Sequence, residues 1–174
     1  VLFRSLNSGA FAEQVVVEQS QVCVVPEDIP LDVASILACG VLTGFGAVVN
    51  TAQVKAGSTV AVIGCGGVGI NSIQGAVHAG ASQVIALDLL DDKLELAQQF
   101  GATHAVNSAE KDCIDQVIAL TGGRGVDYVF VTVGAKAAIE QSVSFLAKSG
   151  TAVIVGMPAS GVMAQYDPGE LAAR

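Results

Sequence analysis

Five short, predominantly apolar stretches recur along the chain and read as strands, at residues 60–63, 84–87, 105–106, 126–131 and 151–155. Between them, residues 68–78, then Leu90, Leu94, Ala97 and Gly101, then Ile114, Val117 and Ile118, and last Ile139, Val143 and Leu146 fall at helical spacing. Runs apolar at consecutive positions suit strands covered on both faces, and strands that alternate with helices form βαβ units around a parallel sheet. Right-handed crossovers then make a doubly wound α/β sheet the expected architecture.

Residues 1–30 have a different texture. Residues 11–18 (FAEQVVVE) and 22–25 are short β-rich stretches closed by Pro26 and Pro30. Two short strands cannot bury their own faces, so this part is expected to be the tail of a separate β-rich domain, with residues 31–174 forming a second one. In that second domain Asp32 is expected to cap a short helix reaching Leu37. A further helix is expected from Leu42 to about Gln53, broken at Ala56-Gly57. Residues 158–174 have no clear period and contain the turn signal Asp167-Pro168-Gly169.

Composition narrows the function classes. With 52% apolar and 14% charged residues among 174, the chain can fill one core, which excludes a disordered polymer. Its longest unbroken apolar run, residues 60–70, is 11 residues long with four glycines, far short of a membrane span. A net charge of −8 argues against a nucleic-acid or anionic-membrane surface. The cysteines at 23, 39, 65 and 113 form no C-x-x-C pair, which excludes a zinc knuckle and a thioredoxin-like motif. Reduced thiols in a cytoplasm are expected.

Gly64-Cys65-Gly66-Gly67-Val68-Gly69 has the pattern G-x-G-x-x-G directly after the first strand and at the start of a helix. In such a turn the first glycine makes the bend and the second lets a pyrophosphate approach the backbone. The third lets helix and strand pack closely, and the helix N-terminus offers free N–H groups to the anion. Asp88 stands 19 residues after Gly69 at the end of the second strand, where a carboxylate can accept hydrogen bonds from the adenosine ribose hydroxyls. That carboxylate repels a 2′-phosphate and no arginine is near to receive one, so NAD is expected rather than NADP. A solvated strand-end acid leading into Asp91-Asp92 is the bland alternative. A methyltransferase-type loop ranks lower, because Ile63 stands where such loops tend to carry an acid.

Taken with these motifs, Leu37-Ala38-Cys39-Gly40-Val41-Leu42-Thr43-Gly44-Phe45-Gly46-Ala47 resembles the stretch around the third catalytic-zinc ligand of the zinc-containing medium-chain alcohol dehydrogenases. The likeness continues unbroken to Lys93. It reappears at Thr121-Gly122-Gly123-Arg124-Gly125-Val126-Asp127 and Val153-Ile154-Val155-Gly156, covering about residues 11–170. The resemblance implies that residues 1–30 end a GroES-like catalytic domain and that residues 31–174 are a Rossmann NAD-binding domain cut before its sixth strand. It implies a zinc-ligating thiolate at Cys39, and Thr43 at the nicotinamide and substrate end. Gly64, Gly66, Gly67 and Gly69 would hold the cofactor. Val68 would back the nicotinamide, Lys93 would reach the adenosine ribose, and the Val155 backbone would meet the carboxamide.

In that family Zn²⁺ acts as a Lewis acid on an alcohol oxygen so that hydride can pass to NAD, giving an alcohol or aldehyde as the implied small-molecule partner. A catalytic zinc needs three protein ligands and an open position. The family's other ligands lie mostly in the upstream domain, and His78 and His104 read as packing or surface residues. Cys39 is therefore expected to be one of three ligands with the others absent, zinc occupancy in this chain doubtful, and the chain alone inactive. A glutamate common in the family is replaced around Val131-Thr132. The family pairs subunits through its sixth strand, which implies a homo-oligomeric parent and an open sheet edge here, prone to self-association. Two alternatives remain: a zinc-independent quinone reductase using NADPH, against which Cys39 and Asp88 argue, and a non-catalytic nucleotide-binding module.

Overall fold

A computed structural model describes residues 11–173. The chain divides into two compact units, one running through Ser35 and the other Ile36–Arg174.

In the first unit the backbone is extended at Glu18 and Val22, on either side of a 3₁₀ turn at Gln19–Gln21. The strands expected at 11–18 and 22–25 do not form: no residue of this unit is paired into a sheet among those described. A strand exists through its neighbour's hydrogen bonds, and these stretches have no neighbour. Helix α1, Leu31–Ala34, starts after Pro30, whose fixed φ suits a helix entry. Asp32, expected as the cap, lies inside the first turn instead, where its charge favours the helix dipole.

The second unit opens with a π-helical turn at Leu37–Val41, continues as α2, Leu42–Gly46, and closes with another π-helical turn at Ala47–Thr51. This helical stretch begins five residues earlier than the sequence led one to expect and ends before Gln53, which has a φ of 51°. Leu31–Thr51 has the length and composition of a membrane-crossing helix. Gly44, Ala47 and Val48 are buried, while Leu31, Val33, Ile36 and Leu42 are exposed.

The remaining elements alternate. They are β1 (Thr59–Ile63), α3 (Gly67–His78), β2 (Gln83–Asp88), α4 (Asp91–Gln99), β3 (His104–Asn107), α5 (Cys113–Leu120) and β4 (Val126–Val131). Then come α6 (Lys136–Gln141), a 3₁₀ turn at Ser142–Phe145, β5 (Leu146–Ile154) and α7 (Pro168–Ala173). Among the described residues the five strands are all parallel, in the order β3-β2-β1-β4-β5. This is the doubly wound Rossmann-like sheet. The chain steps outward from β1 to β3 and then returns to the far side of β1, which leaves a topological switch point between β1 and β4.

Alternation along the strands feeds two cores. Val60, Val62, Val84, Ala86 and Phe130 meet Ile73, Ala76 and Val48 on one face. Ala61, Ile63, Ile85, Val129 and Val131 meet Val117, Ile139 and Phe145 on the other. The full burial of β1 explains why its sequence is continuously apolar from Val60 to Ile63. β5 starts earlier than expected and takes in Leu146, which the helical spacing had assigned to the preceding helix. Its pairing with β4 then slips: from Val126↔Leu146 to Tyr128↔Thr151, β5 advances five residues where β4 advances two. The extra residues bulge through Ser149, which has a φ of 62°.

At the amino-terminal ends of β1 and β4, Arg124 donates to both oxygens of Asp127 at 2.7 and 3.2 Å. The Thr59 backbone N–H donates to the same carboxylate at 2.8 Å. The Arg124 hydrogen bond, followed by those from Thr59, holds the Asp127 carboxyl down at about 2 against the penalty of partial burial. The Thr121–Asp127 motif is thus a brace on the side of the sheet away from the glycine turn.

Candidate functional site

The carboxyl ends of β1, β2, β3 and β4 carry the glycine turn and its neighbours. Gly64 leaves β1 with a φ of +93°, and a Cβ there would run into the Val133 side chain. At Gly69 a Cβ would overlap the Gly64 carbonyl oxygen. These two glycines are demanded by the protein itself. Gly66 and Gly67 differ, because a Cβ on either meets no atom within 4 Å, and both are exposed. The open space in front of them leads to the first N–H groups of α3, whose Gly66 start offers no side-chain cap. Such a cradle suits an anion.

Asp88 ends β2 beside this turn. Its Oδ2 accepts from the Cys65 N–H at 2.7 Å and its Oδ1 from the Leu90 N–H at 3.1 Å. A carboxylate has about four acceptor positions, so it retains capacity for ribose hydroxyls. Cys65 fills the space beneath. Its thiol donates to the Leu87 carbonyl at 3.7 Å, and burial, with the Asp88 charge adding to it, raises its pKa to about 12. It is a packed, protonated thiol rather than a nucleophile.

Thr132, unexplained by the sequence, follows β4 directly across the switch point. Its hydroxyl lies 2.7 Å from the Gly64 carbonyl and 3.1 Å from that of Ile63. The side chain therefore pins the bend of the glycine turn. The advance signals were its place after a buried strand and the replacement there of a glutamate common in the resembled family.

The structure gathers the other expected residues along the same edge. Val68, partly buried, opens α3. Lys93 lies in the first turn of α4, five residues after Asp88. Thr43 and Val155 come together in an open cleft of about 460 Å³, lined also by Leu42, Asn50 and Val153. The Val155 N–H is given to the Val131 carbonyl at 2.8 Å, so its carbonyl is the backbone group left for a ligand. A second cavity of about 250 Å³ opens beside Asp88, walled by Ile63, Leu87, Val133 and Ala138, with Ser108 at its side.

α2 is held against α3 by a close approach. A Cβ at Gly44 would overlap the Val68 carbonyl, and at Gly75 one would press on Val48 and Phe45. Ser72 spans the contact, donating to the Gly44 and Val68 carbonyls at 3.2 and 3.1 Å. Phe45 also stacks at a tilt on His78, ring centres 5.2 Å apart. His104 contacts the Thr103 hydroxyl at 2.9 Å.

The test for zinc has a different result. Cys39 is exposed with a free thiol. Among the described residues no three His, Cys, Asp or Glu side chains converge as a metal site requires. The residues present here do not make a zinc centre.

Residues 67–174 match the family of zinc-binding dehydrogenases. The probable S-(hydroxymethyl)glutathione dehydrogenase 1 of Schizosaccharomyces pombe is 40% identical over 169 residues, covering 96% of this chain and 44% of that protein. Among solved structures, an alcohol dehydrogenase zinc-binding domain protein from Burkholderia ambifaria superposes with a TM-score of 0.82 at 41% identity, over 86% of this chain and 40% of that one. The benzyl alcohol dehydrogenase of Acinetobacter calcoaceticus gives a TM-score of 0.82 at 35% identity, over 86% and 41%. The chain thus spans under half the length of the relatives it matches.

Proposed function

Because the chain belongs to the zinc-binding dehydrogenase family, we propose that it is the NAD-binding part of an alcohol dehydrogenase, an enzyme passing hydride from an alcohol to NAD. The observation that carries this reading is the glycine turn tied to Asp88, with open space before Gly66 and Gly67. In this reading the diphosphate lies over Gly66 and Gly67 at the α3 N-terminus, and Asp88 accepts from the adenosine ribose hydroxyls, with Lys93 close by. Val68, Thr43 and the Val155 carbonyl border the nicotinamide. When bound, the nicotinamide supplies hydride chemistry; the chain's own residues bind it, orient it and shield one of its faces.

Cys39 we assign as one ligand of a zinc centre whose other ligands come from the part of such proteins that this chain does not span. The division into residues 1–30 and 31–174, as the end of a catalytic domain and a nucleotide-binding domain, is part of the same proposal. So are a homo-oligomeric parent, a small alcohol or aldehyde substrate and a cytoplasmic setting, the last supported by four cysteines that are all free.

The test is a fluorescence titration of the 174-residue chain with NADH and NADPH side by side. Saturable NADH binding with NADPH at least tenfold weaker is the expected result. Equal or tighter NADPH would overturn the role of Asp88 and favour the reductase reading. Binding of neither would overturn the dinucleotide assignment.

A further inference from the structure

Among the described residues, Ser108 Oγ is the one buried side-chain oxygen or nitrogen without a hydrogen-bond partner. A buried hydroxyl left unpaired is costly, so such a group needs a cause. Its backbone is well fixed: the Ser108 N–H donates to the Asp88 carbonyl at 2.9 Å. Before it, Asn107 pairs in register with Asp88, and its side chain accepts from the Ala109 N–H at 2.9 Å and donates to Asp91 at 2.8 Å. The hydroxyl is thus held at a defined place beside the 250 Å³ cavity.

The polar neighbours are few and partly engaged. Both Asp88 oxygens accept from backbone N–H groups, and the Gln141 amide nitrogen donates away to the Cys113 sulfur at 3.2 Å. The rest of the wall is apolar: Ile63, Leu87, Val133 and Ala138. A water resting on Ser108 would need two to four polar partners and would find few. A flat heterocycle with apolar faces and a polar edge suits both features of the slot.

We infer that Ser108 reads the base of the dinucleotide, its hydroxyl hydrogen-bonding the N1/N6 edge of the adenine seated between β2 and α6. This rests on the dinucleotide reading above and extends it, making Ser108 a specificity-determining residue that touches the cofactor far from the nicotinamide. A neutral hydrogen bond of this kind corresponds to a change of about three- to tenfold in dissociation constant.

The experiment measures dissociation constants, by fluorescence, for NADH and for its reduced 1,N6-etheno-adenine analogue, whose six-membered-ring edge is blocked. It is run on the natural chain, Ser108→Ala and Ser108→Cys. Unliganded melting temperatures are recorded alongside to confirm that each variant folds. The expected result is that both variants lose about three- to tenfold in NADH affinity and only slightly in affinity for the analogue. Ser108→Cys leaves no cavity and replaces the hydroxyl with a weakly hydrogen-bonding thiol, so a loss matching that of Ser108→Ala assigns the effect to the hydrogen bond rather than to missing volume. The inference is overturned if NADH binds both folded variants as tightly as the natural chain, or if both ligands weaken equally. Failure of the natural chain to bind either ligand would sink the dinucleotide reading itself, a result distinct from those two.

Discussion

The carboxylate of Asp88 accepts a hydrogen bond from the backbone N–H of Cys65 at 2.7 Å, across 23 residues of sequence. One acid thus belongs both to the end of β2 and to the turn after β1, and it sets their separation. Asp88→Asn keeps the shape and an acceptor for one N–H, but turns a donating amide toward the other. NADH affinity is expected to fall about tenfold, as for loss of a charge-assisted hydrogen bond. NADPH should lose less, since repulsion of its 2′-phosphate is relieved. Parallel titrations measure the gap; an unchanged ratio of the two affinities would refute the assignment.

Gly66 and Gly69 should part company on substitution. Gly66 has an extended backbone that alanine adopts readily, and an added Cβ meets no protein atom. Gly66→Ala should change stability by less than about 0.5 kcal/mol while NADH affinity falls at least tenfold. Gly69→Ala drives its Cβ into the Gly64 carbonyl and should cost about 3 kcal/mol, the upper end for overpacking. Urea unfolding and the NADH titration on the same preparations separate the two effects.

Thr132 should behave as a positioning residue. Thr132→Val removes the hydroxyl that bridges the Ile63 and Gly64 carbonyls and should cost about 1 kcal/mol of stability. NADH affinity should weaken a fewfold, while Thr132→Ser, which retains the hydroxyl, restores most of it. A loss in Thr132→Ser with none in Thr132→Val would show that the methyl group, not the hydroxyl, matters.

The Asp127 brace predicts an acid limb to stability. With the folded carboxyl at about 2, below the ordinary value of 3.8, its contribution is fully present above about pH 4. It disappears as the pH falls toward 2, because the unfolded state takes up the proton first. Asp127→Asn should therefore be less stable than the natural chain at pH 7, and the two should converge near pH 2. Denaturation midpoints collected across that range make the comparison.

β5 pairs only with β4 among the described strands, which leaves one of its edges without a strand partner. Unpaired edges invite association. Light scattering of the 174-residue chain should show a mass that rises with concentration. A constant monomer mass over the whole range would contradict this.

Legibility in the sequence followed steric necessity. Strands such as β1 and β4 were readable because both their faces are largely buried and, apart from Thr59 and Asp127 near their amino ends, their positions are apolar. The turn at Gly64 and Gly69 was readable because no side chain fits at either position. The start of β5 was not, since its bulge at Ser149 depends on how β4 lies beside it. Thr132 and Ser108 were missed for a related reason. A hydroxyl residue after a strand resembles any turn residue until the ends of neighbouring strands are brought side by side.

The glycine-to-helix contact between α2 and α3 has a consequence for anyone transplanting this sheet into another protein. A graft cut at Val54, just ahead of β1, looks natural from the strand pattern, yet it removes Phe45 and Val48 from above Gly75 and the Ser72 partner at Gly44. The helix that begins at the glycine turn would then present a bare, small-residue groove to solvent. The portable piece begins at Ile36, and it carries Cys39 and Thr43 with it. Recombination that respects this boundary hands on the glycine turn, Asp88, Cys39 and Thr43 as one inheritance.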